Sequence, residues 1–190
     1  MEVTLNLQPA LQMTVEQFAE LGQINQNLQL ELTATGALII MPPTGGETGD
    51  RNFELSGQLW DWNRQNRLGK AFDSSTGFRL PNGAVRSPDV SWLKLERWQA
   101  LTPEQRKKFL PLCPDFAIEL VSETDEIQTT RSKMQEYLTN GLRLGWLIDP
   151  ETRTIEIYRK NKKLEVLQSP STLSGEEVLP NFILTLQPIW

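Results

Sequence analysis

The tightest constraint on the fold is DFAIELV, Asp115 to Val121, where Phe116, Ala117, Ile118, Leu120 and Val121 form a nearly continuous apolar run around one carboxylate, Glu119. A run of that length and composition reads as a short buried strand. A carboxylate inside it is costly unless an ion pair, hydrogen bonds or a cation offset its lost hydration. The next residues set the topology. Polar SETDE leads into a helical pattern over roughly Gln128 to Asn140, stopped by Gly141 in the C′ position. RLGWLIDP then forms a second near-continuous apolar strand, ending at Asp149 and Pro150. On the helix, Ile127, Met134 and Leu138 make the apolar stripe with Tyr137 at its edge. Lys133 precedes Tyr137 by one turn and so borders the buried side.

The rest of the chain alternates short strands with two further helical regions. Residues 3 to 7 read as a leading strand; Thr14, with Gln17 three residues on, caps a helix whose apolar side is Val15, Phe18, Ala19 and Leu21. LQLELTATGALIIMPP reads as a β-hairpin turning at Thr35 and Gly36. A glycine loop then becomes helical from about Gly46, with Phe53, Leu55, Leu59, Trp60 and Trp62 covering a wide apolar arc. No Lys-Ser/Thr pair follows Gly45 and Gly46, so this loop is not a P-loop. Residues 70 to 73 and 77 to 80 are short strands, PNG at 81 to 83 is a tight turn, and SPDVSWL is a strand with Asp89 at its beginning. Leu93 to Phe109 is amphipathic and broken by Pro103, with Thr102 capping the second piece. ETRTIEIYRKNKKLEVLQ reads as a hairpin with Ile155, Ile157, Leu164 and Val166 inward, and FILTL is a last strand. Antiparallel hairpins plus one β-helix-β crossover give an α+β (mixed α/β) fold in a single domain over residues 1–190.

The 190 residues contain no histidine. That removes Ser-His-Asp and Cys-His nucleophilic arrangements and every His-containing zinc site. Acid–base chemistry is left to carboxylates, Lys, Tyr or metal-bound water, and the hard cations Mg²⁺ and Mn²⁺ suit such oxygen ligands. The one cysteine, Cys113, can make no intramolecular disulfide. No run approaches the ~20 apolar residues of a membrane span, and no basic segment followed by an apolar one opens the chain, so a cytoplasmic protein with no membrane partner is expected. The net charge of −5 argues against indiscriminate nucleic-acid binding but leaves room for a local basic groove. Three small clusters are available for it: Arg64, Arg67 and Lys70; Arg106, Lys107 and Lys108; and Lys160, Lys162 and Lys163. Exposed tryptophans, with a lone solvated Trp190 at the C-terminus, are the features expected to support a homodimer.

Asp89 and Glu119 come from neighbouring strands and are placed to hold a cation between them, with Lys133 reaching the same place from the crossover helix. Spacing alone leaves a second reading open, in which Asp89 caps a strand turn, Lys133 lies along its helix and Glu119 pairs with an arginine. Glu47, near the start of the second helix, is a further candidate, with pairing to the helix dipole as the alternative. Taken in order, Pro88-Asp89, DFAIELVS, KMQEYLTNGLRLGWLIDP and IEIY resemble the Uma-two family of the PD-(D/E)XK nuclease superfamily, from about Thr14 onward. The resemblance implies a restriction-endonuclease-like core, a central mixed β-sheet flanked by helices. It also implies Mg²⁺-dependent endonuclease chemistry on nucleic acid, DNA in particular, with Asp89 and Glu119 as metal ligands and Glu47 as the acidic contribution of the first core helix. One departure stands out: the superfamily's Lys two positions after the Glu is Val121 here, and the resemblance transfers its role to Lys133. The alternative is a nuclease fold that has lost its chemistry and serves as a binding or interaction module.

Overall fold

The structure, a computed structural model, describes residues 3–123 and 125–190. Strand β1 (Val3–Leu5) leads to α1 (Val15–Ile24), which opens as expected: Thr14 Oγ1 accepts from the Gln17 N–H while the Gln17 side chain accepts from the Thr14 N–H. The hairpin β2 (Gln29–Leu32) and β3 (Leu38–Met41) turns through Gly36 at φ +82°. Helix α2 (Gly46–Asn66) is the longest element, and β4 (Gly69–Asp73), β5 (Phe78–Arg79), β6 (Val85–Arg86) and β7 (Val90–Lys94) follow it. Pro103 divides the next segment into α3 (Leu95–Gln99) and α4 (Pro103–Arg106), the latter capped by Thr102. The crossover comprises β8 (Phe116–Leu120), α5 (Ile127–Thr139) and β9 (Leu144–Asp149), and α5 ends at Gly141 with φ +112°. A hairpin, β10 (Thr154–Arg159) and β11 (Glu165–Gln168), and a small pair, β12 (Thr172–Ser174) and β13 (Ile183–Thr185), complete the chain.

A six-stranded sheet in the order β11-β10-β9-β8-β7-β4 forms the centre, and β8–β9 is its parallel pair. Antiparallel pairing elsewhere makes the sheet mixed. A second sheet, β1-β3-β2-β6-β5, lies apart from it in hydrogen bonding. Side-chain alternation gives the central sheet two buried faces. Trp92, Phe116, Ile118, Trp146 and Ile148 pack with Leu55, Leu59 and Trp62 of α2 and with Phe182 and Leu184. Leu93, Ala117 and Leu147 pack with Met134 and Tyr137 of α5. A Cβ at Gly145 would meet the ends of the Met134 and Leu142 side chains, so the glycine leaves room for both between α5 and β9.

Four expectations fail in detail. In α2, Phe53 and Trp60 are 80% and 57% exposed, so the buried stripe is narrower than the apolar residues imply. The β10–β11 register pairs Ile155 with Leu167 and Ile157 with Glu165, which turns Leu167 inward and leaves Leu164 and Val166 exposed. A one-residue shift of register exchanges the faces of a strand, and the loop length sets that shift. Trp190 is not a solvated aromatic: it packs against the core and donates its indole N–H to the Pro170 carbonyl at 3.1 Å. Tyr137, placed at the edge of its stripe, is fully buried. Among the described residues no helix is long and apolar enough to cross a membrane.

Candidate functional site

The β7–β8 ladder ends on the pair Val90–Ile118, so Asp89 and Glu119 are the next residues along the two strands. Glu119 belongs to the face that α5 covers, because its neighbours Ile118 and Leu120 point the other way, into the α2 side of the core, while Asp89 sits at the strand end just before β7 begins. Asp89 Oδ2 accepts from the Leu120 N–H at 2.8 Å, which ties the two strand ends together. From α5, Lys133 Nζ lies 3.1 Å from Glu119 Oε1, and one turn later the Tyr137 hydroxyl donates to the same carboxylate at 2.9 Å. The structure thus brings together Asp89, Glu119 and Lys133. Two positions after Glu119 the chain carries Val121, and the ammonium beside Glu119 is that of Lys133 from α5.

Two residues that sequence reasoning missed complete the cluster. Glu31, from β2 of the other sheet, is 2% exposed and sits 2.9 Å from Lys133 Nζ. It also accepts from the Ser87 N–H at 2.7 Å and from Arg86 at 3.0 Å, and Arg86 is shared with Glu136 at 2.6 Å. Asn52, from α2, donates its side-chain N–H to Asp89 Oδ1 at 3.3 Å. Each had a faint signal. Glu31 is a carboxylate between Leu30 and Leu32, and Asn52 continues the inward stripe of Leu55, Leu59 and Trp62. Glu47 does not join them. Its side chain is 81% exposed and lies 3.6 Å from Arg51, one turn along the helix. Five residues before Asn52, it sits about 140° round the helix from the inward face.

Lys133 bridges Glu31 and Glu119 and Arg86 bridges Glu31 and Glu136, so four carboxylates, Asp89 among them, meet two cations, and Asp89 has no ion pair among the described residues. That imbalance governs protonation. Burial, with Asp89 and Glu31 adding repulsion, pushes Glu119 up to about 8 against the opposing pull of Lys133 and Tyr137. Burial also raises Asp89, outweighing Lys133 and the Leu120 N–H. Glu31 goes the other way: burial would raise it, but Lys133, Arg86 and the Ser87 N–H hold it below the usual carboxylate range. For Lys133, burial favours the neutral amine, yet Glu119, Glu31 and Asp89 overcome it and keep the ammonium protonated. An ammonium held this way donates hydrogen bonds and charge; it does not act as a proton acceptor. Tyr137 is raised well above its ordinary value, first by burial, and remains a phenol donor.

Among the described residues no three of His, Cys, Asp or Glu gather as a ready cation site. The donors that do converge, the Asp89 and Glu119 carboxyl groups, are hard oxygens whose ionised forms burial disfavours and a bound cation would favour. That chemistry fits Mg²⁺ or Mn²⁺ and offers nothing to a soft metal.

A family model matches residues 15–187, from the first helix to just past the last strand. The chain belongs to the Uma2 family. That family is described as "Putative restriction endonuclease". The fold is shared with the crystal structure of a "putative nuclease belonging to DUF820 from Anabaena variabilis ATCC 29413". The two superpose with a TM-score of 0.78 at 20% identity, over 93% of this chain and 97% of that one. No curated protein matches the chain. The Uma2 fold accounts for the arrangement: the central mixed sheet presents β7 and β8 side by side, and the crossover helix delivers Lys133 over their ends.

Proposed function

We propose that this Uma2 chain is a divalent-cation-dependent endonuclease that hydrolyses nucleic-acid phosphodiester bonds, with DNA as substrate. The observation that carries the reading is the imbalance at the ends of β7 and β8: Glu31 and Glu119 share the Lys133 ammonium, and Asp89 beside them has no ion-pair partner among the described residues. The family description supports a nucleic-acid substrate. Asp89 and Glu119 hold Mg²⁺ or Mn²⁺, which when bound supplies positive charge to the scissile phosphate and acidity to a water. Lys133 stays cationic, anchored on Glu31, and turns its charge toward the Glu119 carboxylate where the phosphate would arrive. Tyr137 fixes the Glu119 carboxylate by donating to it. The test is cleavage of plasmid and single-stranded oligonucleotides with Mg²⁺ or Mn²⁺. Wild type should cut only with the cation, and Asp89→Asn or Glu119→Gln should lose on the order of a hundredfold or more while melting as folded proteins. Variants that cut as well as wild type would remove these residues from the mechanism.

One feature favours a second reading, a binding module without chemistry. Lys133 is closed in by Glu31 at 2.9 Å and Glu119 at 3.1 Å, a network that holds α5 to both sheets without any ligand. On that reading the chain binds nucleic acid equally well with and without a divalent cation and never cuts it.

A further inference from the structure

We infer that Asn52 is a ligand of the proposed cation site, supplying its third protein oxygen through the side-chain amide; the inference rests on the reading of Asp89 and Glu119 as ligands. Two observations carry it. Asn52 Oδ1 is buried without a hydrogen-bond partner among the described residues, an arrangement that folded proteins rarely keep without a use for the atom. The other end of the amide donates to Asp89 Oδ1 at 3.3 Å, long for an N–H facing a carboxylate. The two ends of a carboxamide are nearly isosteric, so a half-turn of the amide puts Oδ1 where Nδ2 now sits. A hard divalent cation with ligands at about 2.1 Å in an octahedron has adjacent ligand oxygens roughly 3 Å apart. The separation between the Asn52 amide and Asp89 is close to that spacing.

Position excludes the alternative on the same helix, since Glu47 is exposed and paired with Arg51. Asn52 lies on the inward stripe, three residues before the fully buried Leu55.

The experiment is a Mn²⁺ titration of the full chain by calorimetry, with wild type, Asn52→Ala, Asn52→Asp and Glu47→Ala, each checked for folding by thermal melting. Asn52→Ala should weaken binding by about tenfold or more. Asn52→Asp should bind at least as tightly as wild type, because it keeps an oxygen and adds charge. Glu47→Ala should bind as wild type does. The sign for Asn52→Asp separates a ligand from a residue that only positions Asp89: a positioning donor replaced by a second carboxylate would repel Asp89 and weaken binding as Ala does. That result, or an Asn52→Ala variant that binds like wild type, overturns the ligand role and leaves the Asp89–Glu119 reading standing. No binding by wild type up to millimolar Mn²⁺ overturns both.

Discussion

The central sheet buries two glutamates on the face that α5 covers, and they are built alike up to a point. Glu156 of β10 accepts from Arg131 of α5 at 2.5 Å and from the Tyr158 hydroxyl at 2.7 Å. Glu119 of β8 meets Lys133 of the same helix at 3.1 Å and the Tyr137 hydroxyl at 2.9 Å. The difference lies in the company each keeps. Glu156 has a guanidinium that bonds it through two nitrogens, and among the described residues no other carboxylate forms an ion pair with that fork. Glu119 divides its ammonium with Glu31 and is followed by Leu120, whose N–H holds the Asp89 carboxylate. A buried carboxylate with its own cation is a structural device. Several carboxylates gathered around too little positive charge make a place where an added cation lowers the free energy.

The contrast can be broken most forcefully at Lys133. Lys133→Met leaves Glu31 and Glu119 buried without their ammonium, and should cost about 3–5 kcal/mol by urea unfolding. Glu156→Gln should cost less, about 1–2 kcal/mol, because the Arg131 left behind is already 39% exposed and hydrates readily. It should leave Mn²⁺ binding unchanged, while Glu119→Gln should remove binding with the fold retained. A Glu156→Gln variant that loses Mn²⁺ would mean the two glutamates are not distinct in kind.

Proton linkage sharpens the comparison. Glu119 titrates near the usual carboxylate value, 4.5, when unfolded, and at about 8 when folded. Across that window the folded state binds more protons, so the cation-free protein should lose stability as pH rises from about 5 to 8. Asp89, also raised, acts in the same direction. Urea midpoints in chelator should show this decline in wild type and in Glu156→Gln, and a shallower one in Glu119→Gln. Equal slopes in all three would detach Glu119 from the effect. The smallest expected change is Tyr137→Phe, which removes one donor from Glu119 and should cost about 1 kcal/mol.

What the sequence disclosed depended on how local its cause was. The crossover was legible because DFAIELV and RLGWLID are apolar throughout, Gly141 stops the helix between them, and both capping boxes are written within four residues. Glu119 and Lys133 were legible as a carboxylate inside the apolar run of β8 and a cation beside the stripe of α5, and Asp89 as a carboxylate just before β7. Glu31 was not. Strand alternation in LQLEL assigns it to a solvent face, and only packing of the second sheet beside α5, through Lys133, buries it. Asn52 and Glu47 differ by five positions on one helix, and the choice between them turns on rotation about its axis. The apolar Phe53 and Trp60 blur that rotation in the sequence, because they suggest a buried arc wider than the real one. Leu164 and Val166 failed for the related reason that the hairpin loop sets which residues of β11 face inward.

The most direct test of the account is a calorimetric Mn²⁺ titration of wild type against the Asp89→Asn, Glu119→Gln double variant. The account predicts saturable binding to the wild-type chain, with one cation per chain, and none to a double variant that still melts cooperatively. Identical isotherms for the two proteins, or no binding by wild type up to millimolar Mn²⁺, would contradict it.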